Sequence, residues 1–191
     1  MRHLVPDTSL LWNFHALGRI DLVGSFVSRP ALAPSSAEWG LEVEQEVLRK
    51  IAPAHPALAE IFGECVAPTP AQRSTTQQIR ENTFRETTDD PRKHMGESEA
   101  IAIWSEKADF GDHVLCLTED RSFVRFCWRT HADGSEPAQL AGGRRFVPVT
   151  TDDVLHSLEK GGGIATGSIP ALMQKLRAMD RPYIGPARDF R

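Results

Sequence analysis

The chain has 191 residues, 40% of them hydrophobic and 25% charged, enough for one domain of ordinary size and close to the globular average. Collagen, a coiled coil and a wholly disordered chain are excluded, and at this length a core burying about 70% of the unfolded surface needs no disulfide or structural metal. With 22 Lys and Arg against 26 Asp and Glu the formal charge is -4, so a polyanion would need a local basic surface or metal ions to be held.

No run approaches the ~20 apolar residues of a bilayer span, and polar residues in the N-terminal MRHLVPDTSLLW break the stretch a secretory signal needs. A soluble, cytoplasmic protein without a membrane partner is expected. Cys65, Cys116 and Cys127 are odd in number and widely spaced, which reads as reduced thiols rather than a disulfide framework or zinc ribbon.

Short apolar runs alternate with longer helical patterns, predicting an α/β fold around a largely parallel sheet. The first strand is predicted over 3–6, ending at Asp7, and Thr8-Ser9 open a helix carried by Leu10, Leu11, Phe14, Leu17 and Ile20. A second short strand near 31–34 leads into a helix over 37–51, which Pro53 and Pro56 end. Residues 67–95 are polar and include Pro68, Pro70 and Pro91; within this arm or loop, 71–87 suits one solvent-facing helix. Gly96 then opens an apolar helix over 97–108, followed by the clearest strand, 114–118, which closes at Glu119-Asp120. A helix over 122–129, a Gly-rich excursion over 131–143 and a last strand over 145–149 complete a domain spanning 1–160. Residues 161–191 form a C-terminal extension with a flexible glycine run and a short amphipathic helix near 169–179.

Ligands in open α/β sheets bind beyond the carboxyl ends of the strands. Asp7 and Asp120 both stand there, although either also suits a helix cap. At ~100° per residue, Glu38, Glu42 and Glu46 share one narrow stripe centred on Glu42 and flanked by apolar residues; a solvated charged face is the competing explanation. In HMGESEAIAIW, Glu97 meets the dipole of the first helical turn, whereas Glu99 sits deeper and needs a cation, a proton or water. Asp7, Glu42, Glu99 and Asp120 converging on one cleft would require a counterion, and Mg²⁺ or Mn²⁺ suits oxygen ligands. The seven histidines show no short ligand spacing and are expected to be ordinary surface or core residues, without the His/Cys grouping of a zinc site. The four tryptophans, Trp12, Trp39, Trp104 and Trp128, read as core or interface anchors.

The ordered segments LVPDTSLL, SAEWGLEVEQE, GESEAIAIW and VLCLTEDRSF resemble the PIN-domain nucleases, including VapC-type toxin ribonucleases, over roughly residues 3 to 155. The resemblance implies a three-layer α/β/α sandwich and metal-dependent cleavage of RNA. It places the metal-binding and catalytic acids on Asp7, Glu42, Glu99 and Asp120, with Glu97 competing with Glu99 for the third position. The expected cofactor is Mg²⁺ or Mn²⁺, and the expected reaction is water attack leaving a 5′-phosphate and a 3′-hydroxyl. A protein antitoxin or inhibitor and a homodimer are the partners such a toxin would have. The insertions near 67–95 and 131–143 and the extension make this chain longer than a compact toxin-like member.

Thr8, Ser9 and Thr118 beside these acids, with Arg121 and Arg125, are the candidate substrate contacts. Arg121, Arg125 and Arg129 share one helix face, with local ion pairing as their competing role, and Arg144, Arg145, Lys175, Arg177, Arg181, Arg188 and Arg191 are further candidate contacts. The alternative to a ribonuclease is a weak or inactive PIN-like module that binds RNA or protein. A haloacid-dehalogenase-type phosphatase lacks its second Asp in Asp7-Thr8-Ser9, and GGGIATG lacks the ending of a phosphate-binding loop.

Overall fold

Four strands run parallel through the centre of the molecule in the order β2-β1-β3-β4. They are β1 (Arg2–Pro6), β2 (Ser36–Ala37), β3 (His113–Leu117) and β4 (Arg145–Val149). The structure is a computed structural model that describes residues 1–30, 32, 34–84, 90–181 and 183–190. Alternation along β1 and β3 assigns the two faces of the sheet. Leu4, Leu115 and Leu117 enter one apolar cluster, while Val5, Val114 and Cys116 enter another. Each face is covered by helices, which gives the three-layer α/β/α architecture.

The first face carries α1 (Thr8–Ala16), α2 (Ile20–Val27), α3 (Leu41–Lys50) and α4 (His55–Phe62), joined by α9 (Thr151–Lys160) and α10 (Ile169–Ala178). The second carries α5 (Pro70–Ile79), α6 (Met95–Lys107) and α7 (Arg121–Arg129). A short helix, α8 (Glu136–Leu140), lies within the Gly-rich excursion. Every residue of α6 from Gly96 to Trp104 is buried, as its all-round apolar sequence predicts. The C-terminal extension is part of the fold, because Ile169, Met173 and Leu176 of α10 enter the first core. Among the described residues, no helix is long and apolar enough to cross a membrane.

Four predicted elements differ. The helix expected through Ile20 breaks at Gly18, whose φ of +67° is a left-handed turn that glycine adopts without Cβ strain. The second strand lies at Ser36–Ala37 rather than near 31–34, and residues 31 and 33 fall outside the described residues. Its helix starts only at Leu41, because Glu38 N–H donates to the Leu4 carbonyl and the Trp39 carbonyl accepts from Val66, extending the sheet-like pairing. The solvent-facing helix expected over 71–87 is α5 followed by a π-helical turn, Arg80–Phe84, and its last residues lie outside the described ones.

The strand order also fixes where a ligand site belongs. From β1 the chain crosses to one side, to β2; from β3 it crosses to the other, to β4. The crevice between the carboxyl ends of β1 and β3 is therefore the topological switch point.

Candidate functional site

Asp7 and Asp120 stand at that switch point, on the turns leaving β1 and β3. Asp7 N–H donates to the Leu117 carbonyl at 2.8 Å, tying the two strand ends together. Asp7 Oδ2 caps α1 from Ser9 N–H at 3.3 Å and also accepts from the Ser9 hydroxyl and, at 3.3 Å, from Thr118 Oγ1. Asp120 Oδ1 accepts from Phe123 N–H at 2.8 Å and so caps α7. Its other oxygen, Oδ2, lies 3.8 Å from His94 Nδ1. Capping thus uses one oxygen of Asp120 and leaves the other directed into the crevice.

A cleft of about 860 Å³ opens over these residues. From α6 it receives Glu97, and from α3 it receives Glu46, one turn beyond Glu42. Burial first, and then the nearby Glu97, Glu46 and Asp120 carboxylates, push the Asp7 carboxyl well above its ordinary range, against the Ser9 hydrogen bond. Acids from four separate elements therefore share one electrostatic environment. Gly96 makes the approach close: a Cβ there would lie 3.2 Å from Val43 Cγ2 and 3.8 Å from Asp7 Oδ1.

Of the sequence-predicted acids, the structure brings Asp7, Glu97 and Asp120 to the cleft, while Glu42 and Glu99 do not line it. Glu97 and Glu99 are two residues apart, about 200° around a helix, so they cannot face one site. Glu99 instead accepts from Glu42 N–H at 2.8 Å. It completes the start of α3, where Gly40 has no side chain with which to cap. Burial raises Glu99 to about 7 against that hydrogen bond. Glu38 pairs across the surface with Lys107 at 2.5 Å.

The candidate substrate contacts separate similarly. Ser9 and Thr118 orient Asp7, and Ser9 Oγ also accepts from Glu119 N–H at 2.9 Å. Thr8 lines the cleft, and among the described residues its buried hydroxyl has no hydrogen-bond partner. Arg121 is on the rim, but Arg125 and Arg129 follow α7 away from the lining. Cations from other elements take their place: Arg49 and Lys50 from α3, Arg92 and Lys93 before α6, and Arg181 after α10. Trp12 is half-buried in this wall, with Lys50 Nζ at 5.4 Å and the Arg181 guanidinium at 3.9 Å from its ring centroid, cation–π geometry. Trp39 and Trp104 are core residues, as expected.

Sequence reasoning placed Glu46 in the α3 stripe without assigning it to the site, named Arg181 only among the further phosphate contacts of the tail, and missed His94. The last begins α6 in a left-handed conformation, φ +63°, and its side chain is only 4% exposed. The preceding turn is held by the buried Arg80, which donates to the carbonyls of Lys93 at 2.9 Å and Asp90 at 2.8 Å. Phe84 packs on the imidazole with ring centroids 5.5 Å apart. His94 Nδ1 is 3.5 Å from Glu97 Oε1, and these atoms with an Asp120 oxygen lie within 4.8 Å of one another. Burial works to lower its pKa, but the Glu97 and Asp120 carboxylates outweigh it, and the net shift is upward. The readable signal was His-x-x-Glu at the start of a buried helix, a histidine-to-carboxylate spacing.

The donor set suits a divalent cation. Clustered carboxylates need compensating charge, and among the described residues His94 Nδ1 is a buried polar atom without a hydrogen bond. No protein-family model matches this chain, and comparisons with curated proteins and with solved structures find no match.

Proposed function

We propose that the protein is a metal-dependent endoribonuclease of the PIN-domain kind, hydrolysing RNA phosphodiester bonds in this cleft. The observation that carries the reading is the meeting of Asp7, Glu46, Glu97 and Asp120 at the switch point, beneath a rim of lysines and arginines. Asp7, Glu97 and Asp120 would hold Mg²⁺ or Mn²⁺, with Glu46 binding directly or through water. When bound, such an ion polarises a phosphate and lowers the pKa of water.

The protein's own groups do the rest. Ser9 and Thr118 fix the Asp7 carboxylate, while Arg49, Lys50, Arg92, Arg121 and Arg181 receive phosphates flanking the scissile bond. Thr8 offers a hydroxyl inside the cleft, and no side-chain nucleophile is required. A cytoplasmic site of action accompanies an RNA substrate.

The test is cleavage of 5′-labelled single-stranded and hairpin RNA, with a DNA control, by the purified protein in Mg²⁺, Mn²⁺ or EDTA. Cleavage to 5′-phosphate and 3′-hydroxyl ends is expected with metal, and its loss in EDTA and in Asp7→Asn. Equal cleavage by Asp7→Asn would sink the assignment. Metal-independent RNA binding without turnover would instead support a binding module.

A further inference from the structure

We infer that His94 is a nitrogen ligand of the metal site, which makes the centre selective for a first-row transition dication over Mg²⁺. The inference deepens the proposed hydrolase reading and rests on its metal site alone.

The His94 imidazole is buried. The side chain is 4% exposed, and among the described residues Nδ1 has no hydrogen bond but only long ion-pair contacts, a poorly satisfied arrangement for a buried polar atom. Its nearest carboxylate oxygens are Glu97 Oε1 at 3.5 Å and Asp120 Oδ2 at 3.8 Å. Two atoms each ~2.1 Å from one ion stand ~3.0 Å apart at a right angle and ~3.6 Å apart at 120°. Both separations are longer than an ordinary N–H···O hydrogen bond and near those of two ligands sharing an ion.

The surroundings hold Nδ1 in this position. Arg80 fixes the carbonyls before His94, the left-handed backbone turns the residue inward, and Phe84 packs against the ring. One imidazole among carboxylates changes the donor chemistry. Mg²⁺ prefers oxygen and keeps its waters, whereas first-row transition dications accept imidazole readily. An all-carboxylate centre would have no such reason to discriminate.

The experiment uses metal-free full-length protein and Mn²⁺ as the probe. Binding is followed by loss of the free-ion electron paramagnetic resonance signal, with Mg²⁺ as competitor, and nitrogen ligation by electron spin-echo modulation. Wild type should show nitrogen coupling and retain Mn²⁺ against at least a tenfold excess of Mg²⁺. His94→Asn accepts the left-handed backbone and should lose the coupling, with Mn²⁺ affinity falling at least about tenfold and Mg²⁺ affinity nearly unchanged. Circular dichroism checks that this variant folds; if it does not, coupling in ¹⁵N-histidine-labelled wild type decides alone.

Bound Mn²⁺ without nitrogen coupling, equal competition by Mg²⁺, or no Mn²⁺ binding overturns the inference. Nitrogen-coupled Mn²⁺ in a protein that cleaves no RNA supports the inference and sinks only the hydrolase reading. Metal-dependent cleavage without nitrogen coupling does the reverse.

Discussion

Glu97 and Glu99 show how much two adjacent turns of side chain can differ in role. Both are acids in the first turns of a buried helix, and sequence alone leaves them competing. Helix geometry sends Glu97 to the cleft and Glu99 to the start of α3, where its oxygen accepts from Glu42 N–H. Because burial raises Glu99 from 4.5 to about 7, the folded state binds its proton more tightly than the unfolded chain. Its stabilising contribution is whole below about pH 4.5 and is lost as pH rises through about 7, a difference on the order of 3 kcal/mol. Glu99→Gln keeps the accepting oxygen and removes the charge. Thermal unfolding from pH 4 to 8 in EDTA should show wild type losing stability with rising pH and the variant losing less; parallel profiles would refute the assignment. His94 was harder to find in the sequence, because its role depends on Arg80 and Phe84 arriving from the polar segment before it, contacts that no local pattern records.

At the scale of elements, β1, β3 and β4 and the acids beyond β1 and β3 were legible because alternation and strand-end placement are local signals, whereas the two-residue β2 is too short to carry one. The C-terminal extension was not, since its position is set by distant partners. Glu119 accepts from Thr151 N–H at 2.5 Å and Ile184 N–H at 2.9 Å. Asp153 accepts from Ala187 N–H at 2.9 Å, and Trp128 donates to the Ala187 carbonyl at 2.8 Å. These bonds hold the segment after α10 against the cleft, where Arg181 Nε donates to Asn13 Oδ1 at 3.2 Å and its guanidinium stacks on Trp12. The extension thus supplies a cation to the proposed site. In an inactive Asp7→Asn background, Arg181→Ala should weaken RNA binding several-fold and reduce the slope of log affinity against log salt by about one. Fluorescence anisotropy at several salt concentrations checks this. An unchanged slope would mean that Arg181 serves only to pack against Trp12.

For the whole molecule, the charge of -4 hides an uneven distribution. Among the described residues, six acids and six lysines or arginines line the cleft: the acids are Asp7, Glu46, Asp90, Glu97, Glu119 and Asp120, and the cations are Arg49, Lys50, Arg92, Lys93, Arg121 and Arg181. Asp90 and Glu119 are engaged with backbone N–H groups, while Asp7 and Glu97 are buried and the cations, apart from half-buried Arg181, are exposed. The two cores are built from apolar side chains and contain none of the proposed metal ligands, so chelator-treated protein should keep its circular dichroism. An ion binding only the folded state stabilises it by ~2.7 kcal/mol at a hundred times its Kd, or roughly 5–10 °C in Tm for a domain of this size. Asp7→Asn should act in two directions. Without metal it should melt higher than wild type, because the displaced charge is the buried one that Glu97, Glu46 and Asp120 repel; with Mn²⁺ it should gain much less. Calorimetry of both proteins, with and without Mn²⁺, separates these effects, and an equal Mn²⁺ shift in the two would place the ion elsewhere.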